Sequence, residues 1–532
     1  MAQRLTTFSK FLITLLIVAA LFFAGRFFLQ NTEAGRDLAE KSKSEVESRT
    51  NNSPSTSSSS NNSSTNYEKS DDVIKVGVVT WGGYAGGQYF NEGFEASKES
   101  RFYKDYGFAV EFKVLDDFEA SRNAFRAGEV DLLWATIDAF PTEVSALSNF
   151  DPVIVFQADW SRGGDAIVAR QGISKVSDLK GKKIAVAELT PSHSFLIWML
   201  EAGGLKMSDV EIVKQPSAID AAEVFKSRRV DAAVVWSPDD ILCTKAVPGS
   251  RILESTRSAA YIIADVFMAK RGWVDANKKK VQQLYEGWMK GAAEINSSKS
   301  NARKAAQILG REFTERGTAL STDEAAQMID NVRLVTHGDN KNFFQLNSDY
   351  SGVNGNVLYS SMTNKYSDLG YIEGRVPNWR QIAYPGLVVA TTLTSEADFP
   401  EKAKTYAKPV EADKTKSALA SKAVSISFRT GEYKIDENAK YIIDKEFVEI
   451  AKVFNSRIRI EGNTDNVGSA VSNKRLSLKR AQSVADYLIN IHKMPQDRFI
   501  VVGNGPDKPV ASNNTADGKA KNRRTDFELI AD

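Results

Sequence analysis

Residues 11–24 form an unbroken apolar run, FLITLLIVAALFFA, entered from Arg4 and Lys10 and followed by Gly25, Arg26 and three more apolar residues at 27–29. The run alone is short for a bilayer span of about 20 residues. With 27–29 included and Arg26 snorkelling it becomes long enough. A basic front and a short apolar stretch predict an export signal or signal anchor over residues 1–30. Phe22, three back from a cut after Ala24, is bulky for a signal peptidase, and no Cys follows the run to carry a lipid. The expectation is therefore an uncleaved anchor with the rest of the chain exported; a cleaved signal is the alternative. Residues 31–72 then read as a tether. Their second half, NNSPSTSSSSNNSSTN over 51–66, has too little apolar surface to offset the entropy of ordering.

The pattern changes at Val73. Strand-like runs occupy 73–80, 110–115, 130–136, 153–157, 166–169, 183–187, 210–214 and 230–236, and helical spacing lies between several of them, at 118–127, 194–202 and 218–227. Alternating strands and helices predict a mostly parallel sheet covered on both faces, with ligands at the carboxyl ends of strands. Residues 277–335 read as mainly helical. A Lys/Glu/Ala/Asp/Thr-rich linker spans 395–421. Beyond it lies a compact unit, 422–532, with strands at 424–428, 458–461, 499–502 and 526–530 and helices at 437–454 and 472–491.

The 532 residues allow two to four domains at roughly 100–200 residues each. Lys+Arg is 69 against Asp+Glu 67, a net charge of +2, which gives no basis for a nucleic-acid partner. One Cys excludes an intrachain disulfide, and with only three His no metal or cofactor site is expected. No P-loop, Gly-x-Ser-x-Gly elbow or His-Glu-x-x-His helix is present, so no catalytic residue is nominated and the chain reads as a non-enzyme. The acid pairs Asp116-Asp117 and Asp239-Asp240 read as helix caps rather than acid–base pairs.

In the C-terminal unit, Asp465 sits at a strand end, and Asn473 and Arg480, seven apart, share a face of the next helix. Carboxylate and guanidinium suit the two ends of a small zwitterion; an ordinary Asp–Arg pair fixing loop to helix suits the same residues. Residues 424–530 resemble the OmpA-like peptidoglycan-binding domain. The match runs through Glu461-Gly462, Thr464-Asp465-Asn466, Gly468, Asn473, Leu476-Ser477, Arg480-Ala481, Gly503, Gly505, Asn513 and Asn522-Arg523-Arg524. The resemblance implies a β-α-β-α-β fold with one more strand. It implies that Asp465 and Arg480 grip the diaminopimelate of the peptide stem, with Thr464 and Asn473 lining the pocket. Arg523 and Arg524 add contacts or anchor loops. Asn463 stands where that family usually has His.

Residues 73–394 resemble type II periplasmic substrate-binding proteins of ABC importers, of the nitrate/sulfonate/taurine and aminopyrimidine-precursor group. The carriers are Val76-Gly77 with Trp81 and Tyr84, Tyr106-Gly107, Ala127-Gly128 with Val130-Asp131, the DLKGKKIAV stretch at 178–186, and the residues around Trp236 and Pro238. Two α/β lobes would close on a solute about a hinge near 158–165. Strand-end geometry nominates Trp81, Tyr84, Thr136, Asp138, Asp159 and Trp160 from one lobe. From the other it nominates Ser192, His193, Ser194, Trp236 and Asp239, with Asp265. Hydroxyls at a helix start favour an anion, aromatic rings with acids favour an ammonium, and the solute's charge stays open.

The sequence thus predicts an α/β two-lobed binding protein followed by an α+β OmpA-like domain, with an N-terminal membrane helix, in a bacterial envelope and facing the periplasm. Its expected partners are a small solute, peptidoglycan, an ABC permease or a sensor, and the inner membrane. The rival is a non-transport scaffold whose binding-protein-like module contacts a protein. Ion-driven stator subunits also join a membrane helix to an OmpA-like domain, but they need a membrane acid, and 11–25 has none.

Overall fold

The computed structural model describes residues 73–530 except 425, 427 and 429–431. The expected anchor (1–30) and tether (31–72) lie outside the described residues, among which no helix is long and apolar enough to cross a membrane.

The first lobe is built on six strands: β1 (Val73–Val78), β2 (Ala109–Val114), β3 (Leu132–Thr136), β4 (Pro152–Ser161), and, from much later in the chain, β10 (Ala264–Lys270) and β11 (Val332–Leu334). Their order is β11-β4-β10-β3-β1-β2. β1 runs parallel to β2 and β3, whereas β10 is antiparallel to both β3 and β4. The second lobe holds β5 (Asp165–Ala169), β6 (Lys183–Ala187), β7 (Glu211–Gln215), β8 (Ala232–Trp236) and β9 (Arg251–Ser255), in the order β7-β6-β8-β5-β9. The central strands are largely buried and mostly apolar, as in β3 (LLWAT, every residue buried), because helices cover both faces. β11 falls inside the stretch expected to be helical. Three residues of pairing to β4 override a weak local preference there.

The chain crosses between lobes at residues 162–164 and returns through 256–263. Thr256 ties the crossings together. Its hydroxyl meets the Ser161 hydroxyl at 2.7 Å and accepts the Gly163 N–H at 2.8 Å, and its own N–H donates to the Asp165 carbonyl at 2.9 Å.

The C-terminal module has the sheet order β12-β15-β13-β14, with β12 (Ala418–Val424), β13 (Arg457–Asn463), β14 (Phe499–Gly505) and β15 (Thr525–Ile530). Of the strand expected at 424–428, Val424 lies in β12 and residues 425 and 427 are outside the described residues, while four residues of β12 lie in the expected linker. The Ala/Ser-rich sequence of β12 carries no apolar alternation, and pairing along β15 decides it. The helix Ala470–Asn490 buries Asn473, Ser477, Arg480, Ala481 and Val484 on one face.

This module lies against the rest of the described chain. The Tyr261 N–H donates to the Val453 carbonyl, and the Asn455 N–H to the Ser258 carbonyl, both at 3.0 Å. Lys365 stands between Glu201 and Glu449, and Lys422 between Glu201 and Glu446. Residues 395–417 are also held to the body, by Arg162–Glu401 (2.7 Å) and Lys341–Asp398 (2.7 Å).

Gly462 on β13 faces the backbone of that long helix, and a Cβ there would stand 2.2 Å from the Ser477 carbonyl oxygen. Backbone does not yield as a side-chain tip does. Gly462→Ala is expected to push the helix off the sheet at a cost of about 1–3 kcal/mol. Hydrogen exchange on the full chain should show faster exchange in 457–505, with β1–β5 unchanged.

Candidate functional site

The register of the first-lobe sheet builds a row of polar side chains. Asp265 on β10 is paired with Thr136 on β3 and with Asp159 on β4. Residues directly opposite on neighbouring strands point to the same face. Across the gap, Asp165 on β5 is paired with Trp236 on β8. A cavity of about 20 Å3 between the lobes is lined by Val79, Trp81, Trp134, Thr136, Ile263 and Asp265 from one side and Asp165, Pro191 and Trp236 from the other.

Two donors steady the row. The Trp81 indole N–H donates to Asp159 Oδ2 at 2.8 Å, and the Tyr84 hydroxyl donates to Asp265 Oδ1 at 2.6 Å. Close approach here requires Gly83, since a Cβ would fall 1.1 Å from Asp159 Oδ2. Asp138, Asp159 and Asp265 are each at most 4% exposed. Neither oxygen of Asp138 makes a hydrogen bond of normal geometry, nor do Asp159 Oδ1 and the Thr136 hydroxyl. Burial pushes the carboxyls of Asp138 and Asp159 up to about 7. Asp165 and Asp265 are raised well above the usual carboxylate range, by burial first, with neighbouring acids adding to it.

The other nominated residues distribute unevenly. Trp160 follows Asp159 on a strand, so it faces the other way. It packs edge-on to Tyr261 and lines a larger crevice of about 690 Å3 shared with Tyr406, Phe454 and Arg498. That crevice is roomy, but several charged liners are already engaged, Asp339 with Arg333 and Arg498 with the Phe454 and Ser456 carbonyls. Ser192 is fully buried, with no partner for its hydroxyl; Ser194 bonds the Tyr366 hydroxyl at 2.9 Å. The ring of His193 packs on Tyr371 and Tyr366, its Nδ1 accepts the Leu189 N–H at 3.2 Å, and burial lowers it to about 4, so it is neutral. Asp239 points toward the neighbouring helix Ala218–Lys226, 4.0 Å from Lys226, and not into the cavity. Asp117 caps the helix Phe118–Ala127, and Asp116 accepts the Thr80 N–H and hydroxyl. Trp134 and Asp165 were missed. Trp134 stands two residues before Thr136 on one strand, and Asp165 opens a strand just after Gly163-Gly164, so the period-2 rule was the available signal.

In the C-terminal module, Asp465 Oδ2 meets Arg523 at 2.6 Å, Asp465 Oδ1 accepts the Val467 N–H at 3.0 Å, and these hold its carboxyl below the usual range against its partial burial. Asn473 donates to the Val467 carbonyl at 3.0 Å, and the Thr464 hydroxyl to the Asp465 carbonyl at 2.9 Å. Arg480, lowered by burial first and then by Arg523, donates from Nε to the Glu432 carbonyl at 3.1 Å and lies over the Phe428 ring. Arg524 pairs with Asp526. Asn463 is a strut, donating to Asp526 at 3.0 Å and accepting from Asn504.

Residues 93–301 match the family model described as NMT1/THI5 like, and residues 427–523 match that of the OmpA family. The chain joins an NMT1/THI5-like domain to a C-terminal OmpA-family domain. The taurine-binding periplasmic protein of Escherichia coli is 31% identical over 144 residues, 27% of this chain and 44% of that protein. Outer membrane porin F of Pseudomonas aeruginosa is 36% identical over 110 residues, 20% of this chain and 31% of the porin. The chain therefore spans less than half the length of each of these two relatives. The crystal structure of the periplasmic aliphatic sulphonate binding protein SsuA from Escherichia coli matches 60% of this chain and 100% of its own, at 18% identity and a TM-score of 0.46.

A carboxyl raised by burial contributes fully below the ordinary carboxylate range, and that contribution is lost as pH rises through about 7. Asp138→Asn leaves no group there to titrate. The variant is expected to gain stability over the parent as pH rises, the gap widening by roughly 2–3 kcal/mol between pH 5 and pH 8. Urea midpoints at the two pH values measure it.

Proposed function

We propose that this protein is a solute-binding protein of the bacterial envelope, exported to face the periplasm, whose two lobes close on a small molecule while its OmpA-family domain holds peptidoglycan. The observation that carries the solute half is the convergence of buried, partly unpartnered polar groups from both lobes on one cavity. Thr136, Asp159, Asp265, Trp81, Tyr84 and Trp236 are the residues we assign to the solute, with Asp138 and Ser192 behind them. Opening about the crossings at 162–164 and 256–263 admits it. Delivery to an ABC permease, or to a sensor, follows from the domain type, and the role is binding rather than catalysis. The apolar segment 11–24 is read as the inner-membrane anchor, on sequence alone.

In the wall-binding half, Asp465 and Arg480 take the ammonium and carboxylate ends of a diaminopimelate side chain, with Asn473 and Thr464 shaping the loop and Arg523 holding Asp465. Charge-assisted bonds of this kind fall off steeply when one partner is removed. Full-length protein is expected to sediment with diaminopimelate-containing sacculi, and Asp465→Ala or Arg480→Ala to weaken this by at least roughly tenfold. Undiminished sedimentation of both variants would remove the wall tether from the reading.

One observation favours the scaffold alternative. The lobes meet with only about 20 Å3 between them, and the C-terminal module contacts Glu201 of the second lobe as well as Tyr261 at the crossing. A binding module held shut would serve as a docking body. Saturable thermal stabilisation by a small molecule separates the two readings.

A further inference from the structure

We infer that the solute of the interlobe site is a small organic cation, an amine, amidine or guanidinium whose charged head lies against Asp265, Asp159 and Asp165 between the indole rings of Trp81, Trp134 and Trp236. This rests on the solute-capture reading above and gives that site a ligand class.

The lining fixes the sign. None of the nine residues around the cavity is Lys, Arg or His, and two of them are acids. Asp159 joins them through the register that sets it beside Asp265. Two guanidinium groups near the row have partners outside it, although one terminal nitrogen of Arg162 is buried without a hydrogen bond. Arg122 is held by both arms to Glu143, at 2.7 and 2.9 Å. Arg162 reaches Glu401 at 2.7 Å and lies over Tyr261.

The hydrogen-bond inventory agrees. Asp159 Oδ1 and both oxygens of Asp138 are buried acceptors with no hydrogen bond of normal geometry, although Thr136 and Ser194 lie against Asp138 and Asp265 against Asp159. Buried acceptors left unmade are costly. An ammonium brings three donors and a guanidinium five, with no acceptor to repel the row. Aromatic faces flanking an acid are the environment in which a desolvated cation is most favoured. Without a cation, burial and mutual repulsion keep these carboxyls protonated. A cation in their midst stabilises the ionised forms and so binds with proton release. An anion meets two acids in the lining; the groups that would suit it are the Trp134 indole N–H, buried in the lining without a partner, and the Ser192 hydroxyl at a helix start.

The test uses the full-length protein. Methylammonium, methylguanidinium and 1,4-diaminobutane are compared by thermal shift and then calorimetry with methanesulfonate, acetate, nitrate and taurine, all at matched ionic strength. At least one cation is expected to give a saturable rise in Tm, and the simple anions none. Asp265→Asn keeps an acceptor for the Tyr84 hydroxyl, and Asp165→Asn removes a second charge. Each is expected to cut cation affinity at least about tenfold while leaving the unliganded Tm equal or higher, because an uncompensated buried acid has gone. Acids that serve only structure would instead lower the unliganded Tm and leave cation affinity unchanged, which overturns the assignment. Saturable binding of a simple anion with no cation bound overturns the charge class and leaves solute capture standing. Failure of every compound on a folded protein overturns both.

Discussion

Three strand ends carry Thr136, Asp265 and Asp159 side by side into a buried space between the lobes, and the described structure is organised around that placement. Burying ionisable acids without a counter-ion is costly, so the surroundings must both limit the cost and retain the groups. Trp81 and Tyr84 each donate one hydrogen bond, Gly83 lets the chain pass within reach of Asp159, and the carboxyls shift toward their protonated forms. Removing such acids is a simple route to greater stability.

The row depends on long-range connection. β10 supplies its centre, yet it enters the first-lobe sheet only after the chain has built the whole second lobe, and it lies antiparallel between β3 and β4. The two crossings this requires run side by side, tied by Thr256. The second lobe is also touched by a later segment of the chain, through Tyr366–Ser194 and Tyr371–Glu188. The C-terminal module meets the neighbourhood of the crossings through Tyr261 and Ser258, and the second lobe through Glu201 between two lysines. Half-exposed ion pairs of that sort contribute little each. The continuous apolar core running from the first lobe into Val424, Phe447 and Leu529 does more to hold the module in place.

In the C-terminal module the proposed wall-binding residues are local. Asn473, Ser477 and Arg480 recur at helical spacing, and Asp465 follows a strand by a few residues, so one helix and one loop hold the site. In the two-lobed module, only the end of each strand was readable. Asp159 and Trp160 are adjacent and were both nominated, yet the pleat sends one into the cavity and the other to the far crevice. Strand-end geometry nominates Asp239, but the helix it opens turns it toward Lys226. Trp134 and Asp165 needed the period-2 rule applied backward from Thr136 and forward from the glycines at the crossing. The short strands β11 and β12 were invisible, because neither has an apolar rhythm of its own and both exist by pairing with a stronger neighbour.

By itself, the sequence determined the element types, the two α/β lobes, the OmpA-like unit and the absence of an obvious catalytic motif. Those follow from short-range periodicity and from residues near one another along the chain. Only the tertiary structure decided which acids meet. Asp159 and Asp265 come from distant segments of the chain, and nothing local records that two antiparallel strands will align them in register. The charge of the site is a sum over groups brought together from such segments, with no lysine or arginine among those that line it. That sum exists only once the sheet is formed and the groups are buried.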